Sequence, residues 1–308
     1  MADGIGTSAI RKEQHFFSAP EILERLSGPG DGGLPANIVQ DEASYLAAFA
    51  HLPEGTRNVA DVSPSYFQNS NAPLRIRQFA PEARIVILLR DPARKVFSQY
   101  VHLWSLDHET LPFEEAFAKS AERREAGYSA MFDYEGGGYY ADAIQRYLDV
   151  FGADRVRVEI FEDLFQEDSA AREALAAFLG ARFRDGPPPR MNVGGRAKAG
   201  SLIGALIDNR ALRDRVKGYL PVAFRSKLGE RLRKAVKTEK PHIDPAMRDR
   251  LRALYAADVQ RVEALIGRGT GWFVGAGGAA APQTLARAPA PSLAGAMASK
   301  GADRRAVV

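Results

Sequence analysis

The 308-residue chain is 45% hydrophobic, carries a net charge of +4 and contains no cysteine. That length and composition suffice to bury a full core, and the missing thiols exclude disulfide frameworks, thiolate zinc sites and cysteine nucleophiles. With no run of about 18 apolar residues and no apolar leader at its start, the sequence reads as a soluble, cytoplasmic protein whose mild basic excess suits an anionic ligand.

In chain order, helix-period patterns predict helices over 20–26 and 42–50, and a short apolar run predicts a strand over 58–62. A helix over 71–79 and a strand over 85–89 follow, then helices over 92–103, 112–126 and 139–151. In the segment 112–126, Pro112 stands at a first-turn position ahead of Glu114 and Glu115, acids that complement the positive end of a helix. A strand over 156–161 and helices over 169–179 and 245–265 complete the pattern. Strands alternating with helices imply an α/β fold built on a parallel sheet. Residues 184–201 are rich in proline, glycine and basic side chains, and read as an irregular loop. The basic stretch 210–240 is either a solvated helical face or a contact for an acidic or membrane surface. Beyond residue 274 the composition turns to Ala, Gly and Pro, which cannot offset its ordering entropy. The expected organisation is one domain over 1–274 and a disordered tail over 275–308.

The run 85–89 is apolar throughout, which places it in the middle of a sheet covered on both faces. Arg90 follows at its carboxyl end, the edge where ligands bind in open α/β sheets. Asp91-Pro92 reads as a cap and a first-turn proline, so the next helix opens with its free N–H groups toward the same crevice. Arg94, Ser98 and His102 are four apart and share one face of that helix, while Phe97, Val101 and Trp104 can pack inward. A phosphate-like anion is the natural ligand of this stripe. The plain alternative is a surface arginine above an inert serine.

The segment "VILLRDPARKVFSQYVH" (86–102) resembles the 3′-phosphate-binding stretch of sulfotransferases that use 3′-phosphoadenosine 5′-phosphosulfate (PAPS). Further stretches are similar to that family in the same order: "RKEQHFF" (11–17), "DVSPSYF" (61–67), "GYYADAIQRYLDVFGADRVRVEIFEDL" (138–164) and "RMNVGGRAK" (190–198). The resemblance, closest to bacterial and heparan N-sulfotransferase-like members, implies a P-loop-NTPase-like parallel sheet flanked by helices. It implies transfer of a sulfuryl group from PAPS to a hydroxyl or amine of a carbohydrate or small-molecule acceptor, without a metal. Carried over by position, Arg90 and Ser98 would bind the 3′-phosphate. Tyr140 matches the tyrosine of the family's G-x-Y element, with a helix-face core residue as its other reading. Arg196 and Lys198 fall in the loop that closes over the nucleotide. Glu13 matches the glutamate proposed as general base, and His102 a histidine of the same helix.

Sulfuryl transfer, like phosphoryl transfer, depends on positioning and on stabilising charge at the leaving group. The acceptor also loses a proton, for which Glu13 and His102 are both candidates, Glu13 the favoured one, with an ordinary carboxylate the weaker base unless burial raises its pKa. The plain reading of Glu13 is a surface ion pair with Lys12 or Arg11. Ser63 and Ser65 are candidate pocket residues if 61–67 is more than a strand end stopped by Pro64. The family's P-K-x-G-T-T loop for the 5′-phosphosulfate has no counterpart here: "GIGTS" (4–8) lacks the lysine and lies too close to Glu13, so the sheet is expected to miss its first strand. Three explanations are open: a start at an internal methionine, a catalytically dead nucleotide- or partner-binding relative, or substitution by Arg11 and Lys12. Rival classes are a nucleotide kinase, disfavoured by the absence of a G-x-x-x-x-G-K-[ST] loop, and a nucleic-acid binder, disfavoured by the few aromatics in 210–240. The sequence leaves the oligomeric state and the acceptor open.

Overall fold

Local chemistry sets the element boundaries in the computed structural model, which describes residues 5–56, 58–166, 169–183, 241–273 and 305–307. Strand β1 (Ile5–Thr7) leads through a 3-10 turn (Phe16–Ser18) into α1 (Ala19–Leu23). Helix α2 (Glu42–Ala47), β2 (Asn58–Ala60), α3 (Ser65–Gln68), α4 (Ala72–Phe79) and β3 (Ile85–Leu89) follow. Then come α5 (Pro92–Ser105), α6 (Phe113–Ala118), α7 (Ser120–Glu125), α8 (Ala141–Phe151) and β4 (Val156–Ile160). Helices α9 (Phe161–Leu164), α10 (Ala170–Leu179) and α11 (Pro245–Ile266) and strand β5 (Arg305–Val307) complete the described elements.

Side-chain caps start the helices that matter most. The Asp91 carboxylate accepts the N–H groups of Ala93 (2.8 Å) and Arg94 (3.3 Å), with Pro92 in the first turn, and so launches α5 directly from β3. Asp244 does the same for α11, and Ser169 for α10. Helix α8 is capped from a distance: buried Asp258 of α11 accepts the N–H of Tyr140 at 2.7 Å and that of Ala141 at 3.3 Å. The predicted helix over 112–126 is two helices, because Lys119 leaves the helical conformation and buried Ser120 bonds back to the Phe117 carbonyl (2.7 Å).

All strand pairing is parallel among the described residues, as the alternation of elements implied, and it forms two small sheets. β2 is the middle of one, with β1 on one edge and β5 on the other; β3 and β4 form the second, from Ile85 opposite Val156 to Leu89 opposite Ile160. Ile85, Ile87 and Leu89 are buried in the main core with Val96 and Tyr100 of α5, Ile144 and Tyr147 of α8, and Leu251 and Tyr255 of α11. Each such aliphatic side chain contributes roughly 1.5–3 kcal/mol on burial.

Two expectations are corrected, and the "GIGTS" stretch is placed. The run 85–89 is only partly covered on its second face: Val86 packs against an apolar cluster of Leu164, Leu175 and Leu179, while Leu88 on the same face is 49% exposed. Residues 5–7 of the tempting "GIGTS" stretch are a strand, with the Leu52 side chain closed over Gly6 so tightly that an added Cβ would meet it at 2.5 Å. The tail over 275–308 is not wholly without structure, since Arg305–Val307 pairs with β2 and recovers in hydrogen bonds what its composition lacks in apolar surface. The loop 184–201 and the basic stretch 210–240 lie outside the described residues. No helix among the described residues is long and apolar enough to cross a membrane.

Candidate active site

Just beyond β2, buried Asp61 accepts hydrogen bonds from the Ser63 hydroxyl (2.7 Å) and the Tyr66 phenol (2.5 Å). Burial pushes its carboxyl above the usual range, and the hydroxyls of Ser63, Tyr66 and Tyr45 oppose that shift. The Ser63 oxygen in turn accepts the backbone N–H groups of Gln14 and His15, each at 3.0 Å. Ser63 is therefore fully occupied inside the protein and holds the 11–17 stretch in place rather than facing a ligand.

That grip explains an unusual backbone. His15 sits in the left-handed region, with φ 56° and ψ 12°, a conformation that costs a non-glycine residue about 1 kcal/mol. It persists because its N–H is taken by Ser63 and its carbonyl by the N–H and hydroxyl of Ser18 (3.1 and 3.2 Å). Phe16 stacks on Tyr45 at 4.6 Å, and Phe17 meets Tyr45, Tyr66 and Phe79 edge-on, so the two aromatics anchor the turn from below.

With the turn held this way, Glu13 and His15 come together at the surface. His15 Nε2 lies 3.5 Å from one Glu13 carboxylate oxygen, and Lys12 Nζ lies 3.5 Å from the other. The opposite ring nitrogen, Nδ1, is 2.8 Å from Ser65 Oγ, which is 2.6 Å from Ser18 Oγ. His15 holds the Glu13 carboxyl below its usual range; partial burial opposes this and the Lys12 charge adds to it. Glu13 is thus an ionised carboxylate, at 36% side-chain exposure reachable from solvent. The condition that would strengthen it as a base, a pKa raised by burial, is not met, because His15 and Lys12 outweigh the upward push of burial. The pairing with Lys12 exists, but it is one contact of a connected array.

At the end of β3, half-buried Arg90 has its guanidinium carbon 5.9 Å from the centre of the Phe161 ring. Its carbonyl accepts the Tyr140 phenol at 3.1 Å. Tyr140 is 3% exposed, packed against Phe67 and Trp272, so its hydroxyl supports the Arg90 turn from inside. Arg94, Ser98 and His102 are exposed on one face of α5, as their spacing required. Arg196 and Lys198 lie outside the described residues.

Helix α3 joins the two clusters. Its first residue, Ser65, touches His15, and two residues later Phe67 packs its ring 5.9 Å from that of Tyr140, which holds Arg90. Glu13 and Lys12 are brought together, and so are Arg90 and Tyr140; His102 is not among the groups that touch Glu13. The sequence reading passed over His15 and treated Asp61 only as the end of a strand. A histidine two residues from a candidate base, followed by two phenylalanines that fix the turn, was the available signal. No group of three or more potential metal-ligating side chains occurs among the described residues.

Residues 34–185 match the model of the Sulfotransferase family. The crystal structure of a sulfotransferase from Alicyclobacillus acidocaldarius superposes with a TM-score of 0.66 at 31% identity, over 88% of this chain and 89% of that one. The chain belongs to the sulfotransferase family. A further relative is the bifunctional heparan sulfate N-deacetylase/N-sulfotransferase 1 of Xenopus tropicalis, 26% identical over 141 residues. That match takes in 44% of this chain and 16% of the relative, so the chain spans well under a fifth of that protein's length. The stretch matched by the family model contains Asp61, Ser65, Arg90, Ser98 and Tyr140, while Glu13 and His15 precede it and join it through Ser63 and Ser65.

Proposed function

We propose that this sulfotransferase moves the sulfuryl group of PAPS to a hydroxyl or amine of a carbohydrate or small-molecule acceptor, with Glu13 as the base. The observation that carries this reading is the ionised, solvent-reachable Glu13 carboxylate, fixed by His15 and Lys12 at the mouth of the Ser65 array. In the step, an acceptor oxygen or nitrogen forms a bond to sulfur as the bond from sulfur to the leaving phosphate oxygen breaks. The acceptor proton passes to Glu13, and the leaving phosphate keeps the electron pair. His15 and Lys12 would orient the carboxylate and stabilise it between turnovers, as an imidazole and a carboxylate do in other proton-transfer arrays. Arg90 and Ser98 would take the 3′-phosphate at the opening of α5, with Tyr140 holding the turn beneath. Arg196 and Lys198 would close over the nucleotide, and His102 is the alternative base. The chain supplies the proton acceptor and the anion-binding groups; no metal is invoked.

A second reading, a nucleotide or partner binder without turnover, is favoured by one observation. Residues 5–7 form a strand with Leu52 against Gly6, so the "GIGTS" stretch is not a phosphate cradle. Calorimetric titration with 3′-phosphoadenosine 5′-phosphate, followed by transfer from labelled PAPS to an acceptor panel, tests both. Saturable binding with transfer supports the enzyme, binding without transfer supports a nucleotide binder without turnover, and no binding at all overturns the enzyme and leaves only a partner binder.

A further inference from the structure

The edge of β2 turned away from β1 carries a strand from far along the sequence. Asn58, Val59 and Ala60 pair in parallel with Arg305, Ala306 and Val307, which makes β2 the middle of three strands. The three-residue pair of β1 and β2 is too small to be stable alone, and an open middle-strand edge is a template for association with other chains. The segment that closes it reads "RAV", β-branched at its end, and follows "SKGADR" (299–304), whose Gly301 is a strand breaker. About 30 residues separate Phe273 from Arg305, and at up to about 3.3 Å per residue their covalent reach far exceeds the radius of gyration of roughly 19 Å for a domain this size. The segment therefore reaches β2 of its own chain without help from a second copy.

We propose that this edge of β2 is a strand-accepting surface whose occupant is the segment Arg305–Val307 of the same chain, and that its docking holds the base in position. Ala60, paired with Val307, directly precedes Asp61. Asp61 holds Ser63, Ser63 holds the amides of Gln14 and His15, and His15 holds Glu13. Pairing at the last residue of β2 thus acts one residue upstream of the chain of contacts that sets the carboxylate. The start of β2 is fastened separately, by the Asn58 side-chain amide on the Leu179 carbonyl (3.3 Å), next to the Phe178 carbonyl that takes Arg84 ahead of β3. The far end of β2 is held by its two strand partners, Thr7 of β1 on one side and Val307 of the docked strand on the other.

The absence of cysteine makes the test direct, since a double variant contains only the two introduced thiols. In Val59→Cys/Ala306→Cys, register partners on adjacent strands lie within disulfide reach. Mild oxidation of the full chain is expected to give a monomer with an intrachain bond, while Val59→Cys/Ala302→Cys, out of register, gives much less. Amides 58–60 are expected to exchange about tenfold faster in a chain ending at residue 300, with protection restored by the peptide 299–308. A cross-linked dimer, or protection that grows with protein concentration, would assign the strand to a second copy and overturn the proposal. Equal cross-linking in both registers, or equal exchange with and without the segment, would also overturn it. None of these readouts requires donor or acceptor, so they stand apart from the fate of the sulfotransfer reading.

Discussion

His15 Nδ1 lies 2.8 Å from the hydroxyl of Ser65, a residue 50 positions away. The contact ties the turn carrying Glu13 to the helix whose Phe67 backs the Arg90 turn. The proposed proton acceptor and the proposed anion-binding edge thereby share one framework, and each contact in that framework predicts a measurable effect.

Glu13→Gln removes the proposed base without removing a buried group. Transfer is expected to fall about 10²- to 10⁴-fold, the range for loss of a general base. Stability should change by less than ~1 kcal/mol, because a half-exposed ion pair is worth little. Rates and urea melts of the same preparation check this, and unaltered turnover would remove Glu13 from the chemistry.

His15→Asn keeps a residue at ease in the left-handed region but shortens the reach to Glu13 and Ser65. Since His15 holds the Glu13 carboxyl below its usual range, its loss should raise that pKa and move the acid limb of the kcat/KM profile to higher pH. A uniform fall in rate with an unmoved profile would leave His15 a packing residue only.

Tyr140→Phe and Arg90→Ala should separate support from contact. Removing the phenol leaves the Arg90 carbonyl unpaired inside the protein, at a cost of about 1–3 kcal/mol in urea unfolding, with modest weakening of 3′-phosphoadenosine 5′-phosphate binding. Arg90→Ala should do the reverse, with near-native stability and at least about tenfold weaker binding, as for loss of a charge-assisted bond. Equal binding by all three proteins would move the nucleotide site elsewhere.

Local signals were the legible part of this fold. The span 85–89 and the cap Asp91-Pro92 are written in consecutive residues, so the strand, the turn and the exposed stripe of Arg94, Ser98 and His102 follow from periodicity. Asp61 was not legible as a hub, because its partners Ser63, Tyr66 and Tyr45 signal only ordinary strand and helix chemistry until the chain is folded. The His15 contact with Ser65 depends on a left-handed turn that no propensity specifies for histidine. Composition concealed β5, since three strand residues are averaged away within an Ala/Gly/Pro-rich segment. Exposure of Leu88 was equally hidden, because an apolar run states what a strand tolerates, not what covers it.

Acid stability should carry the mark of Glu21. Burial raises its carboxyl, but Arg75, bonded through both guanidinium nitrogens at 2.6 and 2.7 Å, and the amides of Asn71 and Asn69 outweigh burial and bring the pKa to about 2. A carboxyl lowered on folding binds fewer protons in the native state, so its contribution is complete above the ordinary value near 4.5 and is lost as pH falls toward 2. Glu21→Gln should flatten that part of the curve of melting temperature against pH and cost about 1 kcal/mol at neutral pH. Parallel curves for the two proteins from pH 5 to about 2 would contradict the assignment.

Neighbouring residues of β3 should respond to truncation in opposite ways. Ile87 points into the core formed by α5, α8 and α11, while Leu88 points out at 49% exposure. Ile87→Ala leaves a cavity among side chains that cannot close over it and should cost about 2–5 kcal/mol. Leu88→Ala removes atoms already half in water, and its cost should stay below ~1 kcal/mol. Urea unfolding of the two variants decides the point, because a large loss at Leu88 would mean that this face of β3 is covered in solution after all.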